Sequence, residues 1–268
     1  MSRVFEPSVW AYLAYVGEFC VRYFAIVGGL YWFFHVGFRN RWLRHRIQRA
    51  FPDRDSIRHE IAWSMTNTAT TGLSTVLTYH LVHQGRTSMY FGIADQGVLW
   101  LVASVAVCVV GYDAWLYWQH RFLHTPGMFR TIHWVHHRAG NPTPFATFAM
   151  HPVETLMGNA YFVLFVIFVP IHPVALAAVG GFLFLHGTIL HLGYELFPRW
   201  FATHPVLGCF NTSTYHNLHH SLVRSNFGAY LVVWDRLLGT DHPSYAETWN
   251  RVIAQRTTVP APDGHAAA

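Results

Sequence analysis

The chain has 268 residues, of which 52% are hydrophobic and only 12% are charged, about half the charged fraction of ~25% that is typical of soluble domains. This composition excludes an ordinary soluble domain and indicates a protein embedded in a membrane. The formal net charge is +5, and every basic residue is an arginine. Three scattered cysteines, Cys20, Cys108 and Cys209, form no C-x-x-C pair, which excludes a thiolate-held iron–sulfur or zinc-ribbon site.

Three apolar segments in the first half predict membrane-crossing helices at residues 8–38, 60–83 and 97–118, since a crossing needs about 20 residues. Glu18 and Arg22 lie in the first segment at the i, i+4 spacing of a helical ion pair. No small-residue cleavage site follows, so we expect a retained segment and not a cleaved signal peptide. Two interpretations stay open: all of 8–38 crosses the membrane, or its first half is interfacial and 23–38 forms the span.

The segment between the first two spans is strongly basic. Residues 39–58 contain seven arginines, and such loops face the cytoplasm by the positive-inside rule. The third span then brings the chain back to the cytoplasmic side, just before residue 120. Because the arginines lie between apolar spans, we interpret them as a topology signal and expect no nucleic-acid partner.

The second half contains a predicted helical hairpin. Apolar runs at 156–169 and 174–190 are separated by Pro170 and Pro173, and each is a little short for a full crossing. A hairpin that turns at the prolines and dips into the membrane fits both lengths. Its return arm ends on the cytoplasmic side.

Three histidine clusters carry the chemistry of the chain. His120 and His124 form an H-x-x-x-H pattern, while residues 133–137 and 216–220 both read H-x-x-H-H. On a helix, positions i, i+3 and i+4 lie on one side, so each cluster can direct its imidazoles towards one place. Imidazole is a preferred ligand of iron, zinc, copper and nickel. Eight histidines exceed the needs of one ion and predict a pair of ions.

The motifs together resemble the fatty acid hydroxylase superfamily, also called the sterol desaturase family, of integral-membrane di-iron oxygenases. The resemblance covers about residues 97–245. It rests on the run Asp113-Ala-Trp-Leu-Tyr-Trp-Gln-His-Arg-Phe-Leu-His124, on His133-Trp-Val-His-His137, on His151-Pro-Val-Glu154, on His191-Leu-Gly-Tyr194, on His216-Asn-Leu-His-His220, on Asn226-Phe-Gly228 and on Trp234-Asp-Arg-Leu-Leu-Gly-Thr240.

This resemblance implies an all-α fold, in which a membrane-embedded helical bundle is capped by a cytosolic helical domain that holds a dinuclear metal site. It also implies that His186 and His191 complete the ligand set, although a spacing of five residues does not place both on one ideal helical face. The expected ligands are His120, His124, His133, His136, His137, His186, His191, His216, His219 and His220.

Other residues are expected to hold the imidazoles in place. Metal-bound histidines usually donate their second ring N–H to a carboxylate or a carbonyl group. The candidate acceptors are Asp113, Glu154 and Asp235, and His151 is a further candidate for this outer layer. We expect residues 1–256 to form one domain, with the N-terminal spans in 8–118, the metal-site and hairpin region in 119–245, and a disordered tail at 257–268.

The resemblance implies a reaction in which two iron ions and O2 oxidise an unactivated C–H bond of a membrane lipid, by hydroxylation or by desaturation of a sterol or acyl lipid. Zinc can replace iron in recovered protein. No cofactor-binding segment for electron transfer is evident, so a separate protein of the ferredoxin or cytochrome b5 type is expected as electron donor. We expect a multi-pass protein of the bacterial inner membrane with its metal site on the cytoplasmic side. The alternative function is a membrane metal transporter or metal-binding protein.

Overall fold

The computed structural model describes residues 2–258, and this part of the chain is helical with no β-strand. Eight longer helices organise it: α1 (Ser2–Arg22), α2 (Arg54–His83), α3 (Ile93–Leu123), α4 (Pro152–Phe168), α5 (Pro173–Leu190), α6 (Ser213–Leu222), α7 (Val233–Leu238) and α8 (Tyr245–Thr258). Shorter helical pieces are Gly29–Tyr31, Arg39–Trp42, Pro126–Met128 and Trp134–His137. The π-helical segments are Tyr23–Gly28, Trp32–Gly37 and Phe129–His133, and the 3₁₀ turns are Leu43–His45, Pro144–Phe148, Phe201–Thr203 and Leu207–Cys209.

Three helical stretches of the described chain are long and apolar enough to cross a membrane: Ser8–Gly37, Ile93–Leu123 and Pro173–Leu190. The first is helical from α1 through its π-helical continuation to Gly37, as expected if the whole of 8–38 forms one span. The third predicted span, at 97–118, lies inside the longer helix α3. With this apolar helical architecture, the chain is an integral-membrane protein of the all-α class.

The second predicted span, at 60–83, is part of a helix that is less apolar than a typical membrane crossing. Helix α2 begins at Arg54, where the Asp53 carboxylate accepts a hydrogen bond from the backbone N–H of Ser56 at 2.7 Å. Its buried residues include Glu60, Ser64, Asn67, Thr68 and Thr70. It packs against α1 and α4, so a polar strip lies inside the bundle.

The predicted hairpin is present as α4 and α5. Helix α4 begins at Pro152, four residues before the predicted run, because the His151 ring accepts from the N–H of Val153 and caps the first turn. His172 caps α5 in the same way through the N–H of Val174. Both helices carry proline in the first turn, where the missing N–H is tolerated.

The remaining pieces form a helical cap over one end of this bundle. Helix α8 packs against α6 and against the 3₁₀ turn Leu43–His45. The Arg256 guanidinium donates to the Phe197 carbonyl at 2.8 Å. Helix α8 continues to Thr258, the second residue of the predicted tail at 257–268. Residues 259–268 of that tail lie outside the described residues.

The arginine-rich segment also has a structural role. Arg46 is buried, lies 3.8 Å from the Phe51 ring centroid, and donates to the Gln48 carbonyl oxygen at 3.0 Å. It also pairs with Tyr194 through an isolated antiparallel bridge. At least one of the seven arginines therefore fixes the cap to the bundle, in addition to any effect on topology.

Candidate metal centre

The three histidine clusters meet where the bundle joins the cap, and nine of the ten predicted ligands gather in two adjacent groups. Within each group, one possible ligand atom from every residue lies within 4.8 Å of those of the others. The five-histidine group consists of His120, His124, His133, His137 and His219, and the four-histidine group consists of His136, His191, His216 and His220. The rings of His137 and His220, one from each group, have centroids 4.9 Å apart.

Each H-x-x-H-H motif divides its rings between the two groups. His133 and His137 join the five-histidine group while His136 joins the other; His216 and His220 join the four-histidine group while His219 crosses over. In an α-helix the i+3 and i+4 directions differ by roughly 100°, so one motif can face two neighbouring sites. The spacing thus produces a two-part centre in which each of the two H-x-x-H-H motifs contributes histidines to both parts.

Local structure sets the position of each cluster. His120 lies in the last turn of α3 and His124 follows its end directly. Helix α6 carries the third cluster and begins after Thr212, whose hydroxyl accepts from the N–H of Tyr215 at 3.2 Å. It ends at Val223, which has a left-handed backbone with φ of 55°. This turn starts the loop that returns to the metal centre at Ser225 and Phe227.

Hydrogen bonds at Nδ1 fix six of the nine rings. Backbone carbonyl groups and one carboxylate lie against these atoms, at Phe227 (2.7 Å from His120), Glu154 (3.0 Å from His133), Ala149 (3.3 Å from His136), Gly187 (2.8 Å from His191), Ser225 (2.7 Å from His219) and Ala139 (3.1 Å from His220). A carbonyl oxygen only accepts, so Nδ1 carries the proton and Nε2 keeps its lone pair.

The free lone pairs converge inside the site. The Nε2 atoms of His120, His124 and His133 are buried without a hydrogen-bond partner among the described residues. The Nε2 atoms of His191 and His216 lie 2.9 Å apart. Buried unpaired acceptors are unfavourable, and neighbouring lone pairs repel unless a proton or a cation lies between them. The donor set therefore fits a pair of imidazole-preferring transition-metal ions.

Electrostatics keeps these rings unprotonated. Burial, followed by neighbouring imidazoles, holds the pKa of His136, His216 and His220 well below the usual value of 6.5. Burial lowers the pKa of His124 to about 3 and that of His191 to about 4. Metal binding requires neutral imidazole, so near neutral pH the rings are already in the form that binds.

His186 is the predicted ligand that lies outside both groups. Its Nε2 atom lies 3.0 Å from the carbonyl oxygen of Asn211, and its ring is surrounded by Phe182, Phe210 and Tyr230. A separation of five residues from His191 turns the two rings to different faces of α5. The geometry gives no support for His186 as a ligand, whereas His191 is in the four-histidine group.

Glu154 occupies the position expected of a residue that orients a ligand. Its two carboxylate oxygens lie 2.9 and 3.0 Å from His133 Nδ1, and both residues are buried. A carboxylate in this position fixes the tautomer and strengthens the donor capacity of the opposite nitrogen.

The other three candidates act further from the rings. Asp235 accepts from the N–H groups of Phe227 and Gly228 at 2.8 and 2.7 Å, so it fixes the loop whose Phe227 carbonyl receives His120. Asp113 accepts from Tyr230 N–H, Leu231 N–H and Trp234 Nε1 and contacts no imidazole of the two groups through a hydrogen bond. His151 caps α4. None of these contacts joins Asp113, Asp235 or His151 to an imidazole of the two groups, so their expected part in orienting the ligands stays a prediction.

A cavity of about 360 Å³ lies against the centre and extends into the bundle. His120, His133, His136, His191 and His216, from both groups, line one end of it. The hairpin contributes Gly158, Phe162, Gly180 and Leu183, and α1 contributes Tyr15, Phe19 and Arg22. The volume falls in the range of small-molecule sites, and the lining is largely apolar, as a lipid tail requires.

Sequence reasoning missed two kinds of functional group. Backbone carbonyl groups that receive Nδ1 have no residue-type signal, and only the Asn226-Phe-Gly228 pattern pointed to one of them. The polar residues in the cavity, Asn67 and Gln119 among them, lie in helices where nothing in the pattern separates cavity from core.

Comparisons with known proteins agree with this architecture. A family model described as "Fatty acid hydroxylase" matches residues 105–240, half of the chain. The chain is 29% identical over 197 residues to a lathosterol oxidase of Rattus norvegicus, covering 72% of this chain and 64% of that protein. It is 26% identical over 190 residues to a Delta(7)-sterol 5(6)-desaturase of Schizosaccharomyces pombe, covering 71% and 60% respectively.

A Delta(7)-sterol 5(6)-desaturase of Aspergillus fumigatus matches over 257 residues with 24% identity, covering 92% of this chain and 71% of that protein. The chain thus spans somewhat less than two thirds of the length of the first two relatives. No solved structure matches the chain significantly. The family match extends from α3 to Thr240, two residues after α7, and includes all three histidine clusters, and the chain therefore belongs to the fatty acid hydroxylase family.

Proposed function

We propose that the chain oxidises an unactivated C–H bond of a membrane lipid in an O2-dependent reaction at two iron ions, by hydroxylation or desaturation. The observation that carries the proposal is the joint position of nine convergent histidines and an apolar cavity that opens onto both histidine groups. A pair of bound iron ions would supply the activation of O2. The five-histidine and four-histidine groups would each hold one ion.

The protein's own residues contribute binding, orientation and exclusion of water. The six Nδ1 contacts hold the imidazole planes before a metal arrives, which lowers the reorganisation needed for binding. Helices α4 and α5 close the cavity with apolar side chains such as Phe162 and Leu183. Excluding water from such a site strengthens electrostatic interactions and protects reactive species from side reactions.

The relatives suggest the substrate class. Their names describe oxidation of lathosterol and desaturation of Delta(7)-sterols, so we propose a sterol or a lipid of similar size, with an acyl lipid as the other member of the class. Because the three cysteines of the chain are unpaired and scattered, electrons would come from a separate protein of the ferredoxin or cytochrome b5 type.

We further propose that the metal centre faces the cytoplasm of a bacterial cell, in the inner membrane. The basic segment 39–58 supports this orientation, and it joins the cap that carries the centre. A metal transporter would need ligands along a path across the membrane. Here the nine clustered histidines form one buried centre at one end of the bundle, and that arrangement does not favour transport.

The test is a lipid comparison in a host that lacks the gene. Membrane lipids are analysed by mass spectrometry after complementation with the wild-type chain, with His219→Ala, and with His83→Ala as the matched control. His83 is exposed at the end of α2, remote from the cavity lining. The proposal predicts a hydroxyl group or double bond that returns with wild type and His83→Ala only. Full activity of His219→Ala would contradict it.

A further inference from the structure

A charged pair lies within the first membrane-crossing helix, outside the region matched by the family model. The Nε atom of Arg22 lies 3.2 Å from a carboxylate oxygen of Glu18, one helical turn away, and both residues belong to the apolar stretch Ser8–Gly37. Ionisable side chains at membrane depth are costly and mark functional sites by default. This pair therefore requires a reason beyond the formation of α1.

The Arg22 side chain, which is 34% exposed, lies at the wall of the cavity. Arg22 lines the cavity, and its central carbon lies 4.9 Å from the Phe184 ring centroid and 5.5 Å from that of Phe19. Such cation–π contacts hold the group in one place. Phe184 belongs to α5, two turns before His191, so the guanidinium lies on the same side of the bundle as the metal centre.

The Nε–H group of this guanidinium has no hydrogen-bond partner among the described residues. Its contact with Glu18 is electrostatic only, because the buried Nε–H has no acceptor in hydrogen-bond geometry among the described residues. Arginine carries five N–H donors. A purely structural arginine at this depth is expected to direct several of them at carbonyl groups or side chains, whereas Arg22 lines a cavity with its Nε–H unpartnered among the described residues.

Polar groups of α2 and α4 extend this feature into a ledge, which we define as Arg22, Asn67, Thr71 and Asn159; all four line the cavity. Asn67 Oδ1 accepts from Thr155 Oγ1 at 2.7 Å, and Asn159 Nδ2 donates to Thr71 Oγ1 at 3.1 Å. The oxygen of Asn67 is therefore engaged, which leaves its NH₂ group as a second donor in the lining of the same cavity.

The ledge lies close to the metal centre. Asn159 follows Glu154, which contacts His133, by five residues on α4. A helix rises 1.5 Å per residue, so the two levels are about 7.5 Å apart along the bundle. A lipid whose polar end rests on the ledge would present a carbon only a few bonds from that end to the centre.

Charge balance decides which polar end fits. Glu18 already neutralises Arg22, so a carboxylate or phosphate would bring an uncompensated charge into a largely apolar cavity, which is strongly unfavourable. A hydroxyl oxygen can accept from the guanidinium and the Asn67 amide without adding charge. The ledge thus matches an uncharged lipid alcohol.

We propose that Arg22, neutralised by Glu18, binds the uncharged hydroxyl oxygen of the lipid substrate and thereby determines which carbon faces the metal centre. This inference rests on the proposed function for the oxidation itself, but the binding step stands on its own. Hydrogen bonds from a charged donor contribute roughly 1.5 kcal/mol or more, which corresponds to about a tenfold preference in affinity.

The test measures binding to metal-free protein in phosphatidylcholine nanodiscs. Two probe pairs are used, cholestanol with cholestane and octadecanol with octadecane, and stearate serves as the anionic probe. Affinity is obtained from the concentration dependence of the thermal-unfolding midpoint. We expect at least one alcohol to bind about tenfold more tightly than its hydrocarbon, with stearate weaker than octadecanol. Equal binding of alcohol and hydrocarbon in both pairs overturns the proposal.

Variants locate the effect. Glu18→Gln with Arg22→Gln removes the charged pair together and is expected to abolish most of the alcohol preference. The matched control is Asp55→Asn with Arg58→Gln, an exposed ion pair whose N–O distance is also 3.2 Å, and it should retain the preference. A preference that survives loss of the Glu18–Arg22 pair refutes the role of Arg22. If the double variant does not fold, Glu18→Gln alone is measured; it leaves the charge of Arg22 without a partner, so stearate should bind more tightly relative to octadecanol than in wild type, and an unchanged ratio refutes the role of Arg22.

The failure of this proposal and that of the proposed function are distinguishable. Alcohol-selective binding without any oxidised product, in iron-loaded protein supplied with a reductant, leaves the ledge intact and contradicts the oxidase function. Oxidised product without alcohol-selective binding supports the oxidase function and contradicts the role of the ledge. Where both hold, Glu18→Gln with Arg22→Gln should give a mixture of oxidised positions in place of the single position expected of wild type.

Discussion

Replacing Glu154 tests how the protein prepares its imidazoles for metal. The Glu154 carboxylate lies 2.9 and 3.0 Å from His133 Nδ1, and the two residues are 5% and 1% exposed. Loss of such an orienting partner typically weakens metal binding by roughly 10–100-fold, or about 1.4–2.8 kcal/mol. Glu154→Gln keeps an acceptor oxygen and removes the charge, so we expect metal binding to weaken by about tenfold, the lower end of this range.

Glu154→Leu should weaken metal binding by about 100-fold, because it leaves a buried N–H of His133 without a partner. The assay is competition for Zn²⁺, a redox-inert substitute for iron, between purified protein and a chromophoric chelator. The matched control is Glu247→Leu on the exposed side of α8, with no expected change. If Glu154→Leu binds Zn²⁺ with wild-type affinity while retaining its thermal-unfolding midpoint, then Glu154 does not act on the metal centre through His133.

Three further changes probe the supports of the centre. Metal-free protein should lose stability below about pH 6.5, because burial lowers the pKa of His124 and His191 and the unfolded chain then binds protons at these histidines that the folded chain does not bind. The free energy of unfolding should fall by about 1.4 kcal/mol per pH unit for each histidine. Urea unfolding at pH 5.5 and 7.5 measures the difference, and equal stability would contradict the prediction. Asp113→Ala removes the acceptor of three hydrogen bonds and should cost about 3 kcal/mol or more, visible as a lowered urea midpoint; a cost below ~1 kcal/mol would show these bonds to be unimportant. Gly228→Ala would overlap the Leu231 carbonyl oxygen, so it should displace the loop of Phe227 and reduce iron content, and unchanged iron content would refute that coupling.

The sequence indicated most of the architecture because the relevant patterns are local. An apolar run long enough to cross a membrane predicted α3, two shorter apolar runs separated by Pro170 and Pro173 predicted the hairpin, and the spacing of the histidine motifs predicted convergent rings. The assignment of rings to groups was not predictable in the same way. It depends on how α6 is rotated relative to the segment after α3, and that rotation is set by tertiary contacts such as the 2.8 Å hydrogen bond that Ser213 Oγ donates to the Ile189 carbonyl oxygen.

His186 and Arg46 show the limits in opposite directions. His186 sits in a histidine-rich return arm, but a separation of five residues from His191 turns its ring towards the Asn211 carbonyl. Arg46 looked like one of seven interchangeable topology signals, yet it is buried under Phe51 and Tyr194. Both roles depend on a residue more than twenty positions away in the chain, Asn211 for His186 and Tyr194 for Arg46, and the residue type alone does not predict such a contact.

The most direct test of the central claim is an anaerobic titration of purified metal-free protein with Fe²⁺, with the bound metal quantified per chain. The five-histidine and four-histidine groups predict saturation at two ions per chain. They also predict that His219→Ala and His216→Ala, one from each group, each weaken the binding of a different one of the two ions. Saturation at one ion, or a wild-type chain that retains no iron, would contradict a dinuclear centre built from these nine histidines.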